Sequence, residues 1–212
     1  MRLTKLTHAC VRLQKDGATL VIDPGAWSGA GTLDGADAIL ITHEHFDHLD
    51  ADALRAAMNA DPALALWTNP AVAGQFTEFP GRVHAVRHGD TFSAAGFEVH
   101  VHGTDHAVIH PGMPVVQNTG FLVDQTVFHP GDAFTIPDED VPVLLLPVSA
   151  PWLKASEMID YARAIAPRRG YAIHDELLNE NGLSLVGNLL QFAAGSGGTS
   201  LARLEPGTSV DL

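Results

Sequence analysis

The sequence predicts a four-layer αββα sandwich, an α/β fold with two sheets face to face and helices on both outer surfaces. Three observations point there. Short strand patterns open the chain as a meander, helix patterns are interspersed among later strands, and the second half repeats the order of the first. With 212 residues, 46% of them hydrophobic, the chain is long enough to fill the core that two facing sheets require. The expectation is a single domain over residues 1–212, made of two similar αβ halves.

The first strands are RLTKL, ACVRLQ and TLVID, and residues 15–17, KDG, mark a hairpin turn between the second and third. A Gly-rich loop over residues 25–35 leads into ADAILIT, a continuous apolar run that reads as a fully buried strand. Asp50 is placed to cap a helix in which Leu54, Ala57 and Met58 share a face, with Pro62 just beyond it. After ALALW, Asn69 as N-cap and Pro70 at the first helical position start a second helix. Further strands are expected at residues 82–86, 96–102, 120–123, 126–129 and 143–146. An amphipathic helix over residues 155–165 stops at Pro167. It is followed by the strand GYAIH, a helix over residues 183–193 and a last strand pair around residues 201–212. The GSGGTS stretch is too short for a domain linker and joins that helix to the strand.

Composition removes several function classes. A formal charge of −13 without any Lys/Arg cluster denies nucleic acid the counterion release on which its affinity rests. No apolar run approaches the roughly 20 residues of a bilayer span, and the N-terminal stretch shows no export signal. The expectation is therefore a cytoplasmic protein with no membrane or nucleic-acid partner, a small-molecule substrate, and a homo-oligomer left open. Cys10, the single cysteine, excludes an intrachain disulfide and a thiolate cage, so any metal must be held by nitrogen and oxygen. Cys10 itself reads as a buried strand residue.

The stretch ILITHEHFDHLD, residues 39–50, ends a run of β-formers with three histidines, one glutamate and two aspartates. In an extended segment His43 and His45 point the same way and can hold one metal from one side, while Glu44 between them faces away. Asp47 and His48 lie where the strand turns toward the helix. Their side chains diverge from the first pair and supply a neighbouring site, so two adjacent metals become possible.

The motif THEHFDH resembles the signature of the metallo-β-lactamase superfamily, whose fold is the αββα sandwich. THACVRLQKDGATLVIDPG resembles the opening strands of its lactonase-like branch, the group around ascorbate-phosphate lactonase. HPGD and YAIH then resemble the family's later ligand motifs. The resemblance implies that His43, His45 and a later histidine hold the first ion. It implies that Asp47, His48 and a histidine ending a late strand, here His174, hold the second, and that Asp132 bridges both. VHVHGTDHAVIHP offers His100, His102, His106 and His110 for the remaining place. His106, in the loop just past the strand, fits the family's position best, with His102 second; His100 and His102 share a strand face as a solvated or outer pair.

The other candidates read more plainly. His84 and His88 flank a turn and are expected to be exposed, and His129 to be a packed strand-end residue. His8 stands where this branch often carries a histidine, with Thr7 in place of the usual glycine, and is a candidate neighbour of the ligands. Asp23, in VIDPG, is either a turn former or the group that orients a ligand histidine. Trp27, Trp152 and Lys154 lie in loops that could border the cleft, though each also reads as an ordinary surface or packing residue.

Neutral imidazoles with two or three carboxylates suit zinc first, with manganese and iron compatible. Two divalent ions roughly 3.5–4 Å apart lower the pKa of a shared water from about 15.7 toward 7, which makes a metal-bridging hydroxide the nucleophile. Asp47 is placed to orient it. No serine or cysteine is placed for covalent catalysis. The expected activity is dinuclear metal-dependent hydrolysis of a small ester, lactone or phosphoester. An exported β-lactamase, a basic RNA-processing member and a glyoxalase-type thioesterase with an added helical region fit less well. The rivals are an iron-dependent oxidoreductase of the same fold and a catalytically silent metal-binding protein.

Overall fold

The computed structural model describes residues 1–212. The N-terminal meander follows from its alternation and its turn. β1 (Arg2–Thr7), β2 (Cys10–Lys15) and β3 (Ala18–Ile22) run antiparallel. Lys15 pairs with Ala18, leaving Asp16 and Gly17 as a two-residue loop with φ of 52° and 86°, the left-handed pair a type I′ hairpin requires. β4 (Ala38–Ile41), all four residues buried, then adds parallel to β3. β5 (Ala65–Thr68) and β6 (Val83–Ala85) continue the parallel run.

The helices between them start where their caps dictate. α1 (Ala51–Ala60) begins at Asp50, whose carboxylate accepts from the Ala53 N–H at 3.0 Å. α2 (Pro70–Ala73) begins at Asn69, which accepts from the Val72 N–H at 3.0 Å, but lasts only four residues.

The second sheet repeats the pattern. β7 (Thr91–Ala94), β8 (Phe97–His102), β9 (Gly120–Val123) and β10 (Val127–His129) are antiparallel neighbours. β11 (Val143–Pro147), β12 (Arg169–Ile173) and β13 (Ser200–Ala202) then run parallel. α3 (Ala155–Ile165) and α4 (Glu180–Ala194) make the crossovers. The strand orders are β14-β1-β2-β3-β4-β5-β6 and β13-β12-β11-β10-β9-β8-β7, where β14 is Ser209–Asp211.

Three apolar layers make this the expected αββα sandwich. Between the sheets, Leu13, Leu20 and Leu40 from the first belong to one cluster with Val101, Phe121 and Leu145 from the second. Outside the first sheet Leu54, Met58 and Phe76 cover Ile39 and Ile41; outside the second, Met158, Tyr161 and Leu190 cover Leu144 and Leu146. No helix is long and apolar enough to cross a membrane.

Two expectations are corrected. The last two strands are not a pair: β13 extends β12 in the second sheet, whereas β14 crosses to β1 in the first. Each sheet offers one free edge there, and the pairing is decided by long-range docking rather than by the short apolar segments themselves. α4 also begins earlier than its apolar period, because its first turn, Glu180 to Gly182, is polar and is set by Asn179 accepting from the Gly182 N–H.

Phe121 is fully buried between the sheets. Phe121→Ala should therefore lower the unfolding free energy by about 3–5 kcal/mol, read as a reduced urea midpoint at unchanged slope.

Candidate metal centre

The candidate ligands leave from the carboxyl ends of β4, β10 and β12 and from the loop after β8, the edge where open α/β sheets place their sites. What fixes them is a set of hydrogen bonds on the far side of each imidazole. Asp23 leaves the end of β3 with φ of 52° and accepts from the Thr42 backbone N–H at 2.7 Å and the Thr42 hydroxyl at 2.6 Å. The same carboxylate accepts from His48 Nδ1–H at 2.6 Å. Having donated to Asp23, the Thr42 hydroxyl is left to accept from His43 Nδ1–H at 3.0 Å. His106 Nδ1–H donates to the Ala107 carbonyl and His174 Nδ1–H to the Ser149 carbonyl, each at 2.5 Å. Four imidazoles are thereby held with Nδ1 protonated and Nε2 free to bind a cation.

Those nitrogens converge on Asp132. Its Oδ1 lies 3.1 Å from His48 Nε2, and its Oδ2 lies 3.1 Å from His174 Nε2 and 3.4 Å from His106 Nε2. Trp152 Nε1–H donates to Oδ2 at 2.8 Å. Asp132 Oδ1 and the Nε2 atoms of His48, His106 and His174 are buried without a hydrogen-bond partner. Leaving such groups unpaired costs about 1–3 kcal/mol each, and a bound cation removes that cost. His45 turns Nδ1 to within 3.1 Å of His43 Nε2. One ligand atom each from His43, His45 and His106 lie within 4.8 Å of one another, as do those of His43, His48 and Asp132 and those of His8, Asp47, His48 and His174. The seven expected ligands are thus brought together in overlapping groups, and the donor set fits divalent ions.

Protonation favours the same use at His43, His45, Asp47 and Asp132, and opposes it at His48. Burial pushes His43 well below, and His45 below, the usual histidine range, which keeps both neutral. Burial opposes ionisation of Asp47, but the His8 hydrogen bond and the charges of His48 and His174 outweigh it and bring the carboxyl down to about 2. Asp132 is likewise held well below the carboxylate range, His48 being the largest influence against its burial. His48 itself is raised well above the histidine range, because Asp132 and Asp23 overcome its desolvation.

His8 is a neighbour of the candidate ligands. It accepts at Nδ1 from the Glu176 N–H at 3.4 Å, so Nε2–H donates to Asp47 Oδ2 at 3.2 Å. Asp23 is both things the sequence left open, a residue in a left-handed turn and the group that orients His48. His129 uses both nitrogens, donating to the Ala9 carbonyl at 2.8 Å and accepting from the Gly131 N–H at 3.1 Å, and is a packed residue. Glu44 is exposed and accepts from Gln75.

His102 and His110 stand outside the group. His102 faces Glu139 at 3.8 Å, and His110 is exposed and accepts from the Gly112 N–H. His84 is half-buried, not exposed, because its ring stacks on Trp67 with centroids 4.8 Å apart; His88 is exposed. Trp27 packs edge-on against His8 and Phe46. Lys154 pairs with Glu157 in solvent.

One contact had no signal in the sequence, and a second involves Trp152, which the sequence placed only as a candidate border of the cleft. Asn118 accepts from the Asp132 N–H at 3.0 Å and donates to the Pro130 carbonyl at 2.8 Å. A Cβ at Gly131, where φ is 64°, would fall 2.2 Å from Asn118 Oδ1 and 2.8 Å from Thr42 Cβ, so the glycine of HPGD is required by this close approach. The Trp152 contact to Asp132 is the second.

The family model described as Beta-lactamase superfamily domain matches residues 2–174. The chain belongs to this superfamily. The Mycobacterium tuberculosis protein Rv0786c is 41% identical over 184 residues, covering 84% of this chain and 85% of its own. A UPF0173 metal-dependent hydrolase of Anoxybacillus flavithermus is 27% identical, covering 75% of this chain and 84% of its own. Among solved structures, Igni18, a metallo hydrolase of Ignicoccus hospitalis, superposes with a TM-score of 0.74 at 19% identity, over 99% of this chain and 97% of that one. CmlA, a diiron β-hydroxylase of Streptomyces venezuelae, has the same fold with a TM-score of 0.71 at 18% identity, over all of this chain and 54% of that one. Within the superfamily fold, the Asp23–Thr42 arrangement is this chain's means of aiming His43 and His48.

Asp23→Asn removes the carboxylate that holds His48 Nδ1–H and should weaken metal binding about 10–100-fold with the fold retained. Chelator competition measures it, and unchanged affinity would make Asp23 a turn former only.

Proposed function

We infer that this chain is a metal-dependent hydrolase with a dinuclear centre, acting as one unit over residues 1–212 on a small ester, lactone or phosphoester. The observation that carries the reading is the ring of buried, unpaired Nε2 atoms on His48, His106 and His174 around Asp132. The metal-dependent hydrolase among its relatives supports the reaction class. In this reading His43, His45 and His106 hold the first ion, Asp47, His48 and His174 the second, and Asp132 both. Five imidazoles and two carboxylates suit zinc first, with manganese and iron compatible. The diiron hydroxylase of the same fold makes an iron-dependent oxidoreductase the second reading.

Bound there, divalent ions acidify water and polarise the substrate oxygen. The protein's own groups do the rest. Asp47, held ionised by His8, His48 and His174, orients the nucleophile. Trp152 and Asn118 hold Asp132 from its side chain and its backbone. Cys10 is no rival nucleophile, because burial pushes its thiol up to about 12. Phe46, exposed and packed edge-on to Trp27, offers an apolar contact at the rim.

Removing metal with a chelator should abolish hydrolysis and also lower the melting temperature, since the ions tie together segments distant in sequence. A melting scan and a panel of lactones, esters and phosphodiesters, with zinc, manganese or iron restored, test this; full activity without metal would sink the reading.

Asp47→Ala should cut kcat by about two to three orders of magnitude with a much smaller change in KM. Wild-type turnover at matched metal loading would make Asp47 structural.

A further inference from the structure

The outer face of β8 carries a histidine pair that the candidate centre does not use. His100 and His102 alternate with Val99 and Val101 and project to one side. The segment before β11 brings Glu139 over them. Both Glu139 carboxylate oxygens lie 3.0 Å from His100 Nδ1, and Oε2 lies 3.8 Å from His102 Nε2. On the opposite side of the His100 ring, Nε2 lies 3.0 Å from Glu98 Oε1.

An ion pair accounts for the contacts of His100. It does not account for His102, which is 7% exposed and whose Nε2 is buried without a hydrogen-bond partner. An unpaired imidazole nitrogen facing a carboxylate that a second imidazole already engages is the donor pattern of a cation site.

We propose that His100, His102 and Glu139 form a peripheral site for one divalent transition-metal ion, zinc the first choice, separate from the candidate centre. His102 binds through Nε2, Glu139 through a carboxylate oxygen and His100 through Nδ1, while water completes the shell. Glu98 accepts from His100 Nε2–H, giving the carboxylate–histidine–metal chain that orients such ligands. A tetrahedral shell with bonds of about 2 Å has edges of about 3.3 Å; the oxygen-to-nitrogen separations of 3.0 and 3.8 Å bracket that length, whereas the three ligand atoms do not yet all lie within 4.8 Å of one another, so the imidazoles must close on the ion. Binding draws the two imidazoles in and releases a proton wherever His100 is protonated.

The site joins two segments that matter elsewhere. His102 precedes His106 by four residues and Glu139 follows Asp132 by seven. The segments already touch, since a Cβ at Gly103 would fall 2.8 Å from Thr135 Oγ1. An ion here braces from outside the two strand exits that deliver His106 and Asp132.

Equilibrium dialysis of the holoprotein against rising free zinc, followed by elemental analysis, tests this. Wild type should bind one zinc ion per chain more than Glu139→Gln or His102→Ala, and in wild type the ring nitrogen resonances of His100 and His102 should shift on zinc addition. Equal zinc content in wild type and both variants, or unmoved ring resonances, would overturn the proposal. The difference of one ion does not depend on how many ions the candidate centre holds. It should persist in an Asp132→Asn background, where a change in the total reports on the centre alone; its disappearance there would also overturn a separate site.

Discussion

The carboxylate of Asp23 is the group on which the arrangement of the centre depends. It is fully buried, and a carboxylate taken out of water is tolerated only when donors surround it. Three do: the Thr42 N–H, the Thr42 hydroxyl and His48 Nδ1–H. Because the first two come from the residue that follows the buried β4 strand, satisfying Asp23 fixes how the ends of β3 and β4 lie together. Because the hydroxyl is used up as a donor, it selects the His43 tautomer as well. One burial problem on a neighbouring strand thus sets the direction of two imidazoles in the HxHxDH motif.

The second constraint joins the sheets. His8, Asp23 and His174 all adopt positive φ without being glycine, at 42°, 52° and 63°, each at a cost of about 1–3 kcal/mol. Such backbone persists only where the surroundings over-determine it. Here the His174 N–H donates to the His8 carbonyl at 3.1 Å, tying the exit of β12 to the exit of β1 across the two sheets. Beside it Lys5, 1% exposed, donates to the Ala172 carbonyl at 2.9 Å and pairs with Asp175, which Arg203 also engages at 2.6 Å. The residue after His174 is therefore clamped by two cations, so His174 and His8 meet Asp47 from a rigid frame.

How much of this was legible in the sequence follows from range. The HxHxDH candidates are local: a strand's alternation and a following helix cap at Asp50 determine where His43, His45, Asp47 and His48 go. Turns and caps at Asp16–Gly17, Asp50 and Asn69 are equally local and were readable. His106 lies beside His43 and His45 and His102 does not, because Gly103, with φ of 82°, turns the backbone out of β8 before His106. The clip of Asn118 on Asp132, the indole of Trp152 and the separation of β13 from β14 all depend on pairings between distant segments, which no short pattern encodes. The stacking of His84 on Trp67 belongs to the same class, being a contact between neighbouring strands in register.

The charges explain why the centre is built from a protonatable histidine between two acids. Without a cation, His48 lies 2.6 Å from one carboxylate and 3.1 Å from another, and together they hold its proton well above the usual histidine range. That proton stands where a metal would act, and it must leave Nε2 before a ligand bond can form. In the proposed dinuclear reading, two divalent ions would outweigh Asp23, Asp47 and Asp132 by a single positive charge once His48 has lost its proton. A buried excess of that sign draws in an anionic nucleophile or the developing negative charge of a substrate oxygen, and the low dielectric around His43, His48 and Asp132 leaves that attraction little screened.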